Sequence, residues 1–66
     1  MDDAAELTYR LKKFQVPPGQ TLADAIKNLN MQPEEVLAVL QGVLIFADYV
    51  LLPGDQIELI SVISGG

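Results

Sequence analysis

Residues 21–30 have the sequence TLADAIKNLN, and this stretch decides the fold because it carries the clearest helical signal in the chain. Leu22, Ile26 and Leu29 are spaced by four and then three residues, which places their side chains on one face of a helix. Thr21 stands just before them, and its hydroxyl can accept a hydrogen bond from the first helical turn, as an N-cap residue does. The stretch therefore predicts one amphipathic helix that needs an apolar surface to cover it.

Two extended segments precede this helix. Leu7, Tyr9 and Leu11 alternate with polar residues, a period of two that is typical of a half-buried strand. A second extended segment follows at 14–16, so we expect a hairpin whose turn lies near residues 12–13. The two prolines and the glycine that come next end the second strand, because proline cannot donate a ladder hydrogen bond. The first part of the chain is therefore predicted to be a pair of antiparallel strands.

Three further strands are expected after the helix. Residues 36–40 form a continuous apolar run, which favours a central strand that is buried on both faces or lies beneath a helix. Residues 43–45 favour a short return strand, and turn residues at 51–55 lead into a last strand over 56–63. The predicted order is β-β-α-β-β-β, an α+β domain in which one helix packs across a mixed sheet of about four to five strands.

The composition excludes several classes of function. The chain has 66 residues, half of them hydrophobic, which suffices for one domain over residues 1–66 but leaves little room for an internal cavity. It has no cysteine and no histidine, so thiolate and imidazole nucleophiles and the usual zinc ligands are absent. A net charge of −5 with four basic residues argues against a nucleic-acid-binding face, and no apolar run reaches transmembrane length. We expect a cytoplasmic protein that docks on a basic partner and is not a self-contained enzyme.

The sequence ends on Ser64-Gly65-Gly66, directly after the last predicted strand. A C-terminal carboxylate is ionised at neutral pH, so it resists nucleophiles until it is activated, for example by attack on the α-phosphate of ATP. That reaction would take place in another protein's active site. Glycine has no Cβ, so a flexible Gly-Gly tail can pass through a narrow channel. The plain alternative is a frayed terminus with no function.

Five segments occur in an order and at a spacing that are typical of one protein family. They are GQTL at 19–22, PEEV at 33–36, QG at 41–42, LPGD at 52–55 and IELISVISGG at 57–66. On these segments the chain resembles the ThiS/MoaD family of ubiquitin-like sulfur carriers. The resemblance implies a ubiquitin-like β-grasp fold.

The resemblance also implies a cycle of reactions at the C-terminus. A ubiquitin-activating-type adenylyltransferase would adenylate Gly66 with ATP and magnesium, and a sulfurtransferase or persulfide donor would convert the adenylate to a thiocarboxylate. Gly65 and Ser64 would form the segment that enters the partner's channel. The thiocarboxylate would donate sulfur to a thiazole synthase-like acceptor in thiamine (thiazole) biosynthesis, or in tRNA 2-thiolation or molybdopterin synthesis. The chain itself would bind no cofactor and no metal.

Two departures from the family pattern bear on the pathway. Carriers of the molybdopterin type often have a proline shortly before the final Gly-Gly, whereas this chain has serine and aliphatic residues at 61–64. That ending looks more like the carriers of thiamine synthesis or of tRNA 2-thiolation. Leu40, before Gln41-Gly42, stands where relatives commonly have a charged residue.

A second candidate site lies in the sequence VLIF at 43–46. Alternation places some of these side chains outward, so Val43, Leu44 and Phe46 are candidates for docking the activating enzyme, with packing in the core as the plain alternative. Two other functions stay open: a ubiquitin-like modifier joined to lysines through Gly66, and a β-grasp interaction module whose tail is inert. We expect a monomer, because a carrier must present its tail to successive partners.

Overall fold

The structure, a computed structural model, describes residues 3–62. These residues form five strands and one α-helix, with a short 3-10 helix (Pro33–Glu35) between the α-helix and the third strand. The elements in chain order are β1 (Ala5–Tyr9), β2 (Lys12–Val16), α1 (Leu22–Asn28), β3 (Val36–Leu40), β4 (Val43–Ile45) and β5 (Gln56–Ser61). The predicted order β-β-α-β-β-β is confirmed. The last strand ends at Ser61, so its predicted continuation to Ile63 is too long at Val62; Ile63 itself and the tail at 64–66 lie outside the described residues.

The five strands form one mixed sheet in the order β2-β1-β5-β3-β4. Strands β1 and β5 are parallel neighbours, and every other neighbouring pair is antiparallel. Buried side chains of α1 and of the sheet form one core, so the helix lies across one face of the sheet. This architecture is the ubiquitin-like β-grasp fold that the sequence predicts.

The helix begins and ends as its sequence indicates. The backbone N–H of Asp24 donates to Thr21 Oγ1 at 3.2 Å, so Thr21 is the N-cap. After the helix, Asn30 adopts the left-handed conformation with φ 65°. This conformation directs the chain away from the helix axis, and asparagine adopts it more readily than most residues.

The core joins the helix to the middle of the sheet. Its largest fully buried side chains are Leu7, Ile26, Leu51 and Ile57, which come from β1, α1, the loop before β5, and β5. Burying each of them stabilises the fold by roughly 1.5–3 kcal/mol before the entropy of ordering is subtracted. In β5, Ile57 and Leu59 are buried against the helix, and the residues between and beside them are exposed.

The carboxylate of Asp55 stabilises the loop before β5. Asp55 Oδ2 accepts a hydrogen bond from the Tyr49 hydroxyl at 2.6 Å and another from the Leu52 backbone N–H at 3.0 Å. The hydrogen bond to this carboxylate raises the pKa of Tyr49, with further contributions from burial and from the negative charge of Asp55. Together with the backbone bond from the Asp55 N–H to the Leu52 carbonyl oxygen at 3.1 Å, the bond to Leu52 closes the turn that the sequence predicts at 51–55.

The predicted position of the first hairpin turn is wrong by two residues. Tyr9 pairs with Lys12, so the turn consists of Arg10 and Leu11, and residues 12–13 belong to β2. Both turn residues have positive φ, 51° and 70°, which matches the right-handed twist of a two-residue hairpin. Leu11 continues the alternation of Leu7 and Tyr9 in sequence, yet it is 99% exposed at the tip of the turn.

The run at 36–40 is a strand, but β3 is not the central one and is not buried on both faces. The central strand is β5, because it pairs with β1 on one side and with β3 on the other. In β3 only Ala38 is buried, and Leu37 on the opposite face is 43% exposed. The alternative expectation, a strand beneath the helix, holds for the face that carries Ala38.

Candidate functional site

The candidate site is the end of the sheet from which the tail continues. Strands β1 and β5 are parallel, so both finish at the same end of the sheet, at Tyr9 and Ser61. We call this the tail end. Beyond β5, the backbone N–H of Val62 donates to the Glu35 carbonyl oxygen at 3.1 Å. This bond holds the chain against the 3-10 helix at the last described residue.

The residues predicted to react or to enter a partner's channel follow directly. Ser64, Gly65 and Gly66 lie outside the described residues, so their roles remain predictions. What the structure describes is the support from which they continue. That support is the central strand β5, which is hydrogen-bonded to β1 on one side and to β3 on the other.

An apolar patch covers half of the sheet face that points away from α1. Leu37 pairs with Ile60 and Val39 pairs with Leu44, so these four side chains lie side by side on that face. Three of them, Leu37, Leu44 and Ile60, are 43–44% exposed. We call these four residues the apolar patch. Val62 extends it towards the tail, since Val62 follows Ile60 by two residues and is also exposed.

The other half of the same face is polar. Residues of β1 and β2 on this side are Glu6, Thr8, Lys13 and Gln15, and they pair with one another across the hairpin. Glu58 of β5 lies between the two halves, opposite Val39 on one side and Thr8 on the other. A contiguous apolar surface with a polar border is typical of a protein–protein contact.

The structure separates the three predicted docking residues. Leu44 belongs to the apolar patch. Val43 pairs with Leu40 on the helix side of the sheet and is 62% exposed at its free edge. Phe46 is 65% exposed and lines a groove of about 120 Å³ beside Leu22. All three are exposed. Ile45, the other residue of this segment, packs against the core.

Sequence reasoning missed Leu37 and Ile60, which form the part of the patch nearest the tail. The signal for Ile60 was available, because strict alternation with the buried Ile57 and Leu59 places it on the opposite face. Leu37 carried no such signal, since every residue of β3 is apolar and the run alone does not reveal which side faces water.

Opposite charges flank the tail end. The 3-10 helix presents Glu34 and Glu35 on one side, both exposed. The hairpin presents Arg10, Lys12 and Lys13 on the other side, three of the four basic residues in the chain. The charge at the tail end of the sheet is therefore divided into an acidic and a basic side.

Neighbouring side chains hold two of these cations. The Arg10 guanidinium carbon lies 5.3 Å from the centre of the Tyr9 ring, within the range of a cation–π contact. Lys13 Nζ lies 3.9 Å from Glu6 Oε2, a loose pair on an exposed surface that contributes little to stability. Lys12 is exposed beside them.

A small mixed sheet with one helix across it, whose central strand leads towards a Gly-Gly sequence, defines a ubiquitin-like β-grasp protein. The family model of the ThiS family matches residues 2–66, and the chain belongs to that family. Members of the ThiS family are small sulfur carriers and not enzymes, and this chain is of that class. A comparison with curated proteins found no match. No helix within residues 3–62 is long and apolar enough to cross a membrane.

Proposed function

We propose that Gly66 is the reactive residue of a sulfur carrier, first adenylated and then converted to a thiocarboxylate. The sulfur then goes to a thiazole synthase-like acceptor in thiamine biosynthesis, or to the related pathways of tRNA 2-thiolation or molybdopterin synthesis. The observation that carries the proposal is the family match, which runs through residue 66 and so includes the whole of Ser64-Gly65-Gly66. The chain acts as a co-substrate in the cytoplasm, as a monomer, and the partner enzyme uses the ATP and magnesium.

The proposed chemistry has two steps. A carboxylate oxygen of Gly66 attacks the α-phosphorus of ATP, the bond to the β-phosphate breaks, and pyrophosphate leaves. Hydrosulfide then attacks the acyl carbon, and AMP leaves with its electron pair, so the product carries one sulfur in place of one oxygen. If an enzyme persulfide is the nucleophile, an acyl disulfide forms first, and a thiol must reduce it to release the thiocarboxylate.

Docking supports this chemistry by holding the tail in the partner's active site. The apolar patch begins beside Val62, four residues before Gly66, so a partner that covers the patch also receives the tail. Leu44 takes part in this contact directly, and Val43 and Phe46 extend it around the free edge of β4. Burying three half-exposed aliphatic side chains gives such a contact a hydrophobic centre.

The test is intact-mass spectrometry after incubation with ATP, magnesium, sulfide and a ubiquitin-activating-type enzyme from the same cell. We expect a mass gain that equals one oxygen replaced by sulfur, and none when Gly65 and Gly66 are deleted. The matched control deletes Met1 and Asp2, which removes as many residues from the other terminus and leaves the gain in place. Absence of both adenylate and thiocarboxylate on the intact chain contradicts the proposal.

A search of cell extracts for lysine conjugates, alongside the mass measurement, distinguishes the ubiquitin-like modifier. Both functions begin with the adenylate, so they diverge only after it forms. A mass gain from sulfur supports the carrier. A covalent adduct between Gly66 and a lysine of another protein, formed without sulfur and found in cell extracts, supports the modifier.

A further inference from the structure

The β1–β2 turn holds a leucine that the fold does not use. Leu11 is 99% exposed, so its side chain buries no surface in the core. It also has φ 70°, in the left-handed region that leucine rarely adopts, and Arg10 before it has φ 51°. Hairpin turns of this geometry strongly favour Asn-Gly, which adopts it without strain. The sequence therefore keeps a strained, exposed leucine at a position where a polar residue or glycine fits better.

The turn lies beside the point from which the tail continues. Tyr9 pairs with Leu59 in the parallel β1–β5 ladder. Leu11 comes two residues after Tyr9, and Ser61 comes two residues after Leu59. The turn and the root of the tail therefore lie at the same end of the sheet. A protein that encloses the tail also meets the turn.

Residues 10–13, the turn and the start of β2, carry a charge opposite to that of the whole molecule. The chain carries nine carboxylates and four basic residues, and three of those basic residues fall within residues 10–13. The acidic surface of the chain is complementary to a basic partner. Its basic residues at 10–13 are complementary only to an acidic region on that partner. One site of reversed sign fixes the rotation of the carrier on its partner, because any other orientation places like charges together.

We propose that the β1–β2 turn is a second docking contact, which inserts Leu11 into an apolar pocket with an acidic rim on the adenylating enzyme. Arg10 and Lys12 on either side of Leu11 contact that rim. Glu34 and Glu35, on the other side of the tail end of the sheet, contact a basic region of the same enzyme. The inference rests on the proposed function, because the partner is the enzyme that adenylates Gly66.

A nucleic acid is the less suitable occupant of this turn. Affinity for phosphates grows with the number of cations that meet them, and residues 10–13 offer three, of which Lys13 lies beside Glu6. Nine carboxylates elsewhere on the chain oppose the approach of a polyanion. An exposed leucine between two cations instead matches an apolar protein pocket with an acidic border.

The test measures the rate of adenylate formation against carrier concentration for the full chain and a matched pair of variants. Leu11→Asn keeps the size of the side chain and suits the left-handed conformation, so the fold tolerates it. Leu52→Asn makes the same change on an exposed leucine at the opposite end of the sheet, before β5 begins. We expect Leu11→Asn to raise KM about tenfold with kcat unchanged, and Leu52→Asn to leave both unchanged.

A second pair tests the charge. Lys12→Glu and Lys27→Glu make the same change in net charge, but Lys12 directly follows the turn as the first residue of β2, whereas Lys27 lies in α1. We expect Lys12→Glu to raise KM by a factor that shrinks as salt is added, and Lys27→Glu to leave KM near the wild-type value.

The outcomes separate this inference from the proposed function. If the wild-type chain is adenylated and Leu11→Asn has an unchanged KM, the second contact does not exist and the proposed function stands. If the wild-type chain is not adenylated, the proposed function falls and this inference falls with it. Equal effects of Lys12→Glu and Lys27→Glu overturn the local charge contact. Binding of a fluorescent single-stranded RNA that Lys12→Glu abolishes assigns the turn to nucleic acid and also overturns the proposal.

Discussion

The double variant Arg10→Asn and Leu11→Gly tests whether the β1–β2 turn is strained. Both native residues have positive φ, which costs an ordinary L-residue about 1–2 kcal/mol and costs glycine almost nothing. Against this gain, glycine loses about 0.5–1 kcal/mol more entropy on folding, and the contact of Arg10 with the Tyr9 ring is worth about 0.5–1 kcal/mol. The balance is a net stabilisation of about 1 kcal/mol.

The assay is thermal unfolding followed by circular dichroism at neutral pH. For a domain of this size, 1 kcal/mol corresponds to a rise in Tm of about 4–8 °C. The control is Gln41→Asn in the β3–β4 turn, where Gln41 has φ 52° but Gly42 already occupies the second position. It relieves one strained residue, so its rise in Tm is smaller. A double variant with an unchanged or lower Tm refutes the claim of strain.

Three further predictions concern the core, the loop and the apolar patch. Ile57→Ala in the central strand lowers the free energy of unfolding by about 2–5 kcal/mol, enough to unfold much of a domain this small. Ile60→Ala on the opposite face lowers it by under about 1 kcal/mol, and urea unfolding of the two variants measures both changes. The pKa of Tyr49 is raised above 10.0 in the fold, so its hydrogen bond to Asp55 contributes fully to stability below pH 10.0. Stability falls as the pH rises through the raised pKa of the folded state. Tyr49→Phe lacks this alkaline loss in a Tm-against-pH profile, and an identical profile for both proteins rejects the assignment. Leu44→Asp leaves Tm within a few degrees but raises KM for adenylation, and an unchanged KM removes the apolar patch from the docking surface.

Local signals in the sequence predicted most of the fold. The helix is correct because Thr21 caps it and Ile26 marks its buried face, both of which depend on neighbouring residues alone. The last strand is correct over Gln56–Ser61, because Ile57 and Leu59 alternate there with the polar residues Gln56 and Glu58. Such features need no knowledge of the distant parts of the chain.

The errors arise where distant pairing decides the structure. The turn at Arg10 and Leu11 has neither glycine nor asparagine, and the period of two runs straight through it, so only the register of Leu7 against Phe14 reveals it. The place of β5 at the centre of the sheet follows from its parallel pairing with β1, which no local pattern records. The apolar patch likewise needs the pairing of β3 with β4 and β5 before its residues come together.

The central claim is that Gly66 carries sulfur, and the most direct measurement is made on the protein isolated from its own cells. The native chain is purified under conditions that preserve thiocarboxylates, and its intact mass and C-terminal fragments are measured. We predict a fraction of molecules with one oxygen of the Gly66 carboxylate replaced by sulfur. Molecules with only the ordinary carboxylate, or with Gly66 joined to lysines of other proteins, contradict the account.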